Sequence, residues 1–308
     1  MMAFSTVYVQ RALPKKEDLA PGHRACLGCG EALAVRQACK AFLEDTIIVN
    51  ATGCIEIFSS PIPFTSWRVP WIHVLFENTA AVASGVESAF KVRMRKGKCA
   101  KRKVNVVAMA GDGGTNDIGL QALSGAFERR HKLTYLCFDN EAYMNTGIQR
   151  SSATPYGAST TTSPAGKLSI GQRTWKKDMP KIAVAHDIPY VATACPSYPI
   201  DLVTKVRKGM AANGPAYIHI LSPCPTGWGF PSDLTVQVGR LAVETGIFPL
   251  YEVENGEYKI DPDLPKLRPI KDYLMVQRRF RHLSPEEVER IQEEVSERYL
   301  RLRQECRK

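Results

Sequence analysis

The chain of 308 residues is long enough for one sizeable core, and its 44% hydrophobic and 23% charged residues are ordinary for an α/β protein. It contains no run of about 18 apolar residues, which excludes a membrane span, and residues 1–15 lack the apolar segment of a signal peptide, so we expect a cytoplasmic protein. The net charge is +10, but the basic residues form short scattered runs such as 93–96 and 101–103, which are typical of solvated faces rather than of a nucleic-acid-binding stripe.

The first motif is a pair of cysteines that follows an irregular segment. Residues 1–22 contain two prolines and no regular apolar pattern, so we predict an extended N-terminal arm. Cys26 and Cys29 then form a Cys-x-x-Cys pair in front of a predicted helix over residues 31–42. Such a pair occurs in redox, zinc and iron–sulfur sites, and by itself it does not decide among them.

Two further cysteines come directly after predicted strands. A strand over residues 46–50 precedes Cys54, and a strand over residues 216–221 precedes Cys224. With the first pair they make four thiolates, which suit a [4Fe–4S] cluster or a structural Zn²⁺; because only two of the four are closely paired, we favour the cluster. The other five are interpreted as small apolar or exposed thiols: Cys39, Cys99, Cys137, Cys195 and Cys306.

Between these cysteines lies a segment rich in proline and aromatic residues. Residues 58–71 are predicted to be an ordered surface loop that lines a cleft or faces a partner subunit. A helix of small residues is predicted over 78–90. His73 and Glu77 beside it invite a catalytic interpretation, although a loop histidine and a helix-start carboxylate are more often structural.

The centre of the sequence carries two strands that end in oxygen ligands. A strand over residues 104–110 leads into glycines and Asp112, and a strand over 133–138 leads into Asn140. Hard oxygen ligands on turns suit Mg²⁺, which proteins usually share with a phosphate. The same residues also occur in plain turns. A dinucleotide fingerprint is excluded because its third glycine would fall on Asn116, and there is no P-loop lysine.

Strands and helices alternate from residue 46 to residue 221, which predicts an α/β fold with a mostly parallel sheet covered on both faces. Ligands in such sheets bind at the carboxyl ends of strands. The Ser- and Gly-rich residues 151–167, directly after the second ligand turn, are predicted to form a binding loop rather than a linker.

The tail differs in character from the rest of the chain. Residues 245–270 are predicted to form loops and a hairpin. Ser284 and Glu287 then form a capping box for a final helix, with one apolar stripe that is expected to pack against this subunit or another: Val288, Ile291, Val295, Tyr299 and Leu302. We therefore divide the chain into an arm (1–22), a cofactor-binding domain (23–235) and a C-terminal extension (236–308).

These motifs together resemble the β subunit of the pyruvate synthase type of 2-oxoacid:ferredoxin oxidoreductase, over roughly residues 20–235. The matching segments are His23-Arg24-Ala25-Cys26-x-x-Cys29-Gly30, Ala51-Thr52-Gly53-Cys54, Gly111-Asp112-Gly113-Gly114-Thr115, the run from Asp139 to Gly147, and Ser222-Pro223-Cys224-Pro225. The resemblance implies a thiamine-diphosphate-binding fold of the diphosphate-binding type.

The resemblance also implies three cofactors: thiamine diphosphate, Mg²⁺ and one [4Fe–4S] cluster. It assigns Mg²⁺ to Asp112, Asn140 and the carbonyl of Ala142, and it places Asn145 beside the thiazolium and the oxoacid. The cluster would be held by Cys26, Cys29, Cys54 and Cys224. Further contacts to thiamine diphosphate are predicted from Thr52, Gly53, Gly111, Gly113 and Gly114.

In this family the cofactor releases CO₂ from an oxoacid while a cluster removes electrons one at a time. Pyruvate with coenzyme A is the expected substrate pair; the same role in oxalate oxidoreductase, which needs no coenzyme A, or on another 2-oxoacid is the alternative. Expected partners are ferredoxin and separate pyrimidine-binding α, γ and ferredoxin-like δ subunits, or fusions of them. Neither nucleic acid nor a membrane is expected as a partner.

Two other classes stay open from the residues alone. A non-oxidative thiamine enzyme, such as a decarboxylase, would have no need of the four cysteines. A basic α/β binding module held together by zinc would bind acidic partners or nucleic acid, with a steep dependence on salt.

Overall fold

The computed structural model describes residues 13–61, 63–100 and 104–307. The first twelve residues of the predicted arm and the basic run 101–103 lie outside the described residues. The rest of the arm is irregular, as predicted, and Leu19 forms an isolated antiparallel bridge with Trp67 of the proline-rich loop. Both side chains are buried, so this bridge attaches the arm to the loop.

The described residues form one main sheet of eight strands and a separate small hairpin. The strands of the main sheet are β1 (Thr46–Ala51), β2 (Trp71–Val74), β3 (Asn105–Gly111), β4 (Thr134–Asp139), β7 (Tyr190–Ala194), β8 (Ala216–Leu221), β9 (Tyr251–Glu254) and β10 (Glu257–Ile260). The hairpin consists of β5 (Ala165–Gly166) and β6 (Ser169–Ile170). The order across the sheet is β10-β9-β7-β8-β4-β3-β1-β2. The six strands from β7 to β2 in this order pair with one another in parallel, which confirms the predicted mostly parallel sheet.

The helices cover both faces of the sheet. They are α1 (Gly30–Cys39), α2 (Cys54–Ser59), α3 (Thr79–Arg95), α4 (Leu120–Glu128), α5 (Met179–Val184), α6 (Pro199–Ala211), α7 (Pro225–Trp228), α8 (Thr235–Glu244), α9 (Lys271–Leu274) and α10 (Pro285–Glu305). Successive residues of β4 point to opposite faces: Leu136 and Phe138 join the core under α1 and α6, whereas Tyr135 and Cys137 join the core under α3 and α4.

The C-terminal segment packs on its own chain. Ser284 and Glu287 form the predicted capping box, and the apolar stripe of α10 is buried at Ile291, Val295 and Tyr299. Most of the stripe belongs to a third core that also contains Trp228 and the residues before α10. The stripe is therefore used within this subunit. The division of the chain at residue 235 stays a prediction.

Some local features differ from the prediction or were not predicted. The predicted hairpin, β9–β10, joins the main sheet: it pairs antiparallel with β7 and extends that edge. His73 lies in the edge strand β2 rather than in a loop. Cys54 begins a helix, and the glycines after Asp112 open a single π-helical turn, Gly113–Ile118. Among the described residues, no helix combines the length and the apolar character needed to cross a bilayer.

Candidate functional site

The predicted ligand turns meet at the carboxyl ends of β3 and β4, which are neighbours in the sheet. The turn after β3 is so tightly packed that only glycine fits at two of its positions. A Cβ on Gly113 would lie 2.4 Å from the ring of Tyr143, and one on Gly119 would lie 2.1 Å from the carbonyl oxygen of Gly114. The π-helical turn therefore brings backbone close to the residues that follow β4.

Asp112 and Asn140 each present one buried oxygen without a hydrogen-bond partner, namely Oδ1 in both residues. The other polar atom of each side chain is held: the Ser151 hydroxyl donates to Asp112 Oδ2 at 2.5 Å, and Asn140 Nδ2 donates to Glu31 Oε2 at 2.8 Å. A buried polar atom without a partner costs about 1–3 kcal/mol. Two such oxygens, on residues that line the same cleft, fit a hard cation such as Mg²⁺.

Two buried acids of this site, Asp112 and Glu31, have raised pKa values. Burial, and then the charge of Asp139, raises the pKa of Asp112 well above its usual range. Burial also raises the pKa of Glu31 to about 7, against the hydrogen bonds from Asn140 and Cys54. A divalent cation between these groups would favour their charged forms, because opposite charge offsets the cost of burial.

The predicted cofactor residues line one cleft. It contains Thr52, Gly53, Gly111, Asp112, Gly113, Gly114, Asn140, Ala142 and Asn145, together with Glu31, Cys54, Phe76, Tyr143, Met144 and Thr146. Asp112, Asn140 and Ala142 are buried, whereas Asn145 is exposed. The structure thus brings the predicted residues together, and their contact with a cofactor stays a prediction.

The segment that follows the second ligand turn, residues 151–177, is hydrogen-bonded to both ligand turns; that residues 151–167 form a binding loop stays a prediction. The Ser152 N–H donates to Asp117 Oδ2 at 3.1 Å, and the Lys177 ammonium donates to the carbonyl of Asn116 at 2.5 Å. The Thr154 hydroxyl donates to the carbonyl of Glu141 at 2.7 Å. The loop is therefore attached to both ligand turns.

Three of the four candidate cluster ligands lie at helix N-termini. The sequence predicted a helix directly after Cys29, whereas it did not predict the helices that begin at Cys54 and Cys224. Cys29 caps α1 and accepts the Ala32 N–H at 3.4 Å; Cys224 caps α7 and accepts the Gly227 N–H at 3.3 Å. Cys54 is the first residue of α2. N–H groups directed at sulfur stabilise a thiolate.

The four cysteines share one region of the molecule. The Gly30 N–H donates to the carbonyl of Pro223 at 3.1 Å, which places the Cys-x-x-Cys pair against the segment of Cys224. Burial raises the pKa of Cys54, and the charges of Glu31, Cys224 and Cys29 raise it further. Cys224 interacts in the same way with Cys26.

Burial raises the pKa of Cys29 to about 12 and that of Cys224 to about 11. A thiolate here needs strong positive charge nearby, and iron or zinc would supply it. Within the described ranges, no group of three or more His, Cys, Asp or Glu side chains is arranged around a single ion position. The donor set of four thiols fits the implied cluster in chemistry.

The cysteine region lies next to the turn that contains Asn140, residues 139–142, which is called the metal turn below. Asn140 Nδ2 lies 3.8 Å from Cys54 Sγ, and Glu31 is two residues from Cys29 while it also accepts from Asn140. Sequence reasoning missed Glu31 and Ser151, because an acid in the first turn of a helix and a serine in a polar loop are common without any function.

Three comparisons place these observations among known proteins. A model of the family described as "Thiamine pyrophosphate enzyme, C-terminal TPP binding domain" matches residues 51–220. Pyruvate synthase subunit PorB of Methanocaldococcus jannaschii is 58% identical over 286 residues, 92% of this chain and 96% of that protein. Ketoisovalerate oxidoreductase subunit VorB of Pyrococcus abyssi is 47% identical over 293 residues, 94% of each.

Among solved structures, a 2-oxoglutarate:ferredoxin oxidoreductase from Magnetococcus marinus aligns with a TM-score of 0.55 and 24% sequence identity, over 70% of this chain and 71% of that chain. At this identity the likeness concerns the fold. It agrees with the α/β architecture and the mostly parallel sheet of this chain.

Proposed function

This chain belongs to the family of PorB-type subunits, the β subunits of thiamine-diphosphate-dependent 2-oxoacid:ferredoxin oxidoreductases, and from that membership we propose that it serves the oxidative decarboxylation of pyruvate with coenzyme A. The identity of 58% to a pyruvate synthase subunit, against 47% to a ketoisovalerate oxidoreductase subunit, favours pyruvate. Oxalate or a branched 2-oxoacid is the alternative substrate.

The observation that carries the proposal is the pair of unpartnered oxygens, Asp112 Oδ1 and Asn140 Oδ1, in a cleft bordered by the cysteines. We assign Mg²⁺ to these two oxygens and to the Ala142 carbonyl, and the diphosphate to the glycine turn beside them. Thiamine diphosphate, when bound, supplies the carbanion that attacks the keto carbon of the oxoacid.

The protein groups around the cleft bind, orient and shield. Ser151 and Glu31 hold the second polar atom of Asp112 and of Asn140, which restricts the rotation of both side chains and would orient their free oxygens for a metal. The loop 151–167 is tied to both ligand turns through Ser152 and Thr154, and we propose that it shields the bound cofactor from water. Asn145 is exposed in the same cleft and is proposed to contact the oxoacid.

We propose that the four cysteines hold one [4Fe–4S] cluster. Their four thiols share one region, and Cys54 lines the same cleft as Asp112. A one-electron carrier beside the cofactor accounts for a ferredoxin acceptor, with further carriers on partner subunits.

The test is made on this chain, purified without oxygen and without the ferredoxin-like subunits, so that the iron measured belongs to this chain alone. We expect iron and sulfide in a 4:4 ratio, as [4Fe–4S] requires, a visible absorption band, and Mg²⁺-dependent binding of thiamine diphosphate. Cys54→Ser should lose the iron of this subunit, whereas Cys99→Ser, at a cysteine outside the four, should keep it. Stoichiometric zinc without iron or sulfide would instead identify the site as a zinc staple.

The substrate is tested by reduction of a viologen dye with pyruvate, ketoisovalerate, 2-oxoglutarate and oxalate, each with and without coenzyme A. We expect the highest kcat/KM for pyruvate and a requirement for coenzyme A. A preference for oxalate that is independent of coenzyme A would overturn the substrate assignment and leave the family assignment in place.

A further inference from the structure

The C-terminal segment reaches the proposed metal site through one arginine. Arg279 lies in a short 3₁₀ turn, Arg278–Phe280, and is only 6% exposed. Its Nη2 donates to Glu141 Oε2 at 2.5 Å, 138 positions earlier in the chain. Glu141 stands between Asn140 and Ala142, the two proposed ligands that follow β4.

The same guanidinium group also packs on Trp228, a residue that makes a second contact to this turn. It lies over the ring of Trp228, 4.0 Å from the centroid. The Trp228 indole N–H donates to the carbonyl of Asn140 at 2.8 Å. Arg279 and Trp228, together called the Arg279–Trp228 clamp, therefore contact the backbone of Asn140 and the side chain of Glu141.

The clamp has a fixed geometry of its own. Arg279 Nε donates to Gln277 Oε1 at 2.9 Å, and the fully buried Gln277 in turn donates to the carbonyl of Tyr273 at 2.7 Å. A planar guanidinium group held by a carboxylate, an amide and an aromatic face has little freedom to rotate. An amine could not make these three contacts together.

The turn needs such support because of its backbone. Glu141 has φ of 67°, in the left-handed region that costs a residue other than glycine about 1 kcal/mol or more. Its second carboxylate oxygen pairs with Lys176 at 2.7 Å, and Lys176 also pairs with Asp139. His219 Nε2 lies 2.7 Å from Asp139 Oδ2, so both acids that flank Asn140 are held from outside the turn.

We propose that the Arg279–Trp228 clamp is a positioning device for the metal site: it holds the turn 139–142 in the conformation in which Asn140 and Ala142 bind Mg²⁺. The proposal rests on the proposed function, since it takes those two residues as ligands. It gives the C-terminal segment a role in cofactor binding that lies outside the family domain matched at residues 51–220.

A purely structural role for the clamp makes a different prediction. If the clamp only stabilises the fold, its removal lowers the melting temperature and leaves the affinity for Mg²⁺ unchanged. If it positions the ligands, the affinity for Mg²⁺ falls, because groups that orient metal ligands typically contribute about 10- to 100-fold to binding.

The test measures the Kd of Mg²⁺ at saturating thiamine diphosphate, by calorimetry on the assembled complex after metal removal. Arg279→Ala and Trp228→Phe, which keeps an aromatic ring but removes the indole N–H, should each raise this Kd, by about 10-fold or more for Arg279→Ala. Arg279→Lys should fall between wild type and Arg279→Ala. Arg290→Ala is the matched control: this arginine lies over the ring of Tyr156 at 5.0 Å and pairs with no acid of the metal turn. Its Kd should stay within about twofold of wild type.

The outcomes separate this inference from the proposed function. If the wild-type complex binds no Mg²⁺ with thiamine diphosphate, the proposed function fails and the clamp fails with it. If wild type binds, Asp112→Ala does not, and Arg279→Ala binds as wild type does, the clamp alone is refuted. Should Arg279→Ala not assemble, Trp228→Phe decides: an unchanged Kd refutes the clamp, and a raised Kd supports it.

Discussion

Asp112 is buried with one carboxylate oxygen unpartnered, so its removal should affect cofactor binding and folding in opposite directions. We predict that Asp112→Ala abolishes oxoacid-dependent turnover and Mg²⁺-dependent binding of thiamine diphosphate. The cofactor-free variant should melt no lower than wild type, because an unsatisfied buried group is removed and the side chain lies outside the strand core. Calorimetry and thermal melting measure the two effects.

Asp112→Asn is the matched comparison, since it keeps the shape and one oxygen and removes the charge. It should retain weak Mg²⁺ binding, below wild type and above Asp112→Ala. Full affinity for thiamine diphosphate together with full turnover in Asp112→Ala would show that Asp112 is not a ligand.

Ser151 tests whether the hydroxyl that holds the other oxygen of Asp112 contributes to binding. We predict that Ser151→Ala raises the Kd of Mg²⁺ by about 10-fold, because an orienting hydrogen bond to a ligand carboxylate is lost. Ser163→Ala is the control: it lies in the same loop and bonds to Thr160 through its backbone N–H and carbonyl. An equal effect of both variants would point to the loop in general instead of the hydroxyl.

At the residue scale, the sequence predicted those site residues that belong to local motifs. Asp112 and Asn140 each follow a strand, and their neighbours in the chain carry enough pattern to identify them. Glu31 and Arg279 were missed because their partners, Asn140 and Glu141, lie 109 and 138 positions away. Such pairing depends on how helices and strands pack, and no local spacing records it.

Among the elements, the final helix was predicted in most detail, and its start can be tested directly. Ser284 Oγ accepts the Glu287 N–H, and the Glu287 side chain accepts the Ser284 N–H. We predict that Ser284→Ala lowers the free energy of unfolding by about 1 kcal/mol, the usual cost of losing an N-cap. Denaturant unfolding of the cofactor-free chain measures it.

Ser296→Ala in the same helix is the matched control. Its hydroxyl donates to the carbonyl of Gln292 one turn earlier, and alanine is a better helix former in that position. The control should be neutral or slightly stabilising. If both variants lose the same free energy, the capping box contributes nothing particular.

Other elements could not be predicted because pairing partners define them. β2 is a four-residue edge strand with two exposed residues, so it lacks the buried run that identified β3 and β4. The sequence predicted a hairpin in the region of β9 and β10. The turn between them, at Asn255 and Gly256, has the positive φ angles that are typical of a hairpin. That β9 would pair with β7 depends on a contact some 60 residues distant.

At the scale of the whole molecule, the cleft is complete on the metal side only. Its lining contains two carboxylates, Glu31 and Asp112, and both are held toward the metal turn. Glu77, for which the sequence invited a catalytic interpretation, is not among the residues that line the cleft. We therefore predict that a partner subunit supplies the carboxylate for the aminopyrimidine, in agreement with the separate pyrimidine-binding subunit that the family resemblance implies.

The surface beside both sites agrees with partner subunits. Leu27, between the two cysteines of the pair, is 86% exposed, and Phe64 of the proline-rich loop is 75% exposed. Leu75, next to the cleft residue Phe76, is 63% exposed. Large exposed apolar side chains next to functional sites are typical of interfaces. The stripe of α10 is excluded as such a surface because it is buried in this chain.

We therefore predict that this chain alone, loaded with thiamine diphosphate, Mg²⁺ and an intact cluster, does not reduce viologen dye with any 2-oxoacid. One side of the cofactor lacks its carboxylate, and general acid–base steps on a well-placed cofactor contribute about 10²–10⁴-fold. Turnover should appear when partner subunits are added, and it should saturate at one set of partners per chain. Binding of Mg²⁺ and diphosphate should already be measurable in the chain alone, because every proposed ligand to them lies within it. Turnover of the isolated chain equal to that of the complex would contradict this division of the active site between subunits.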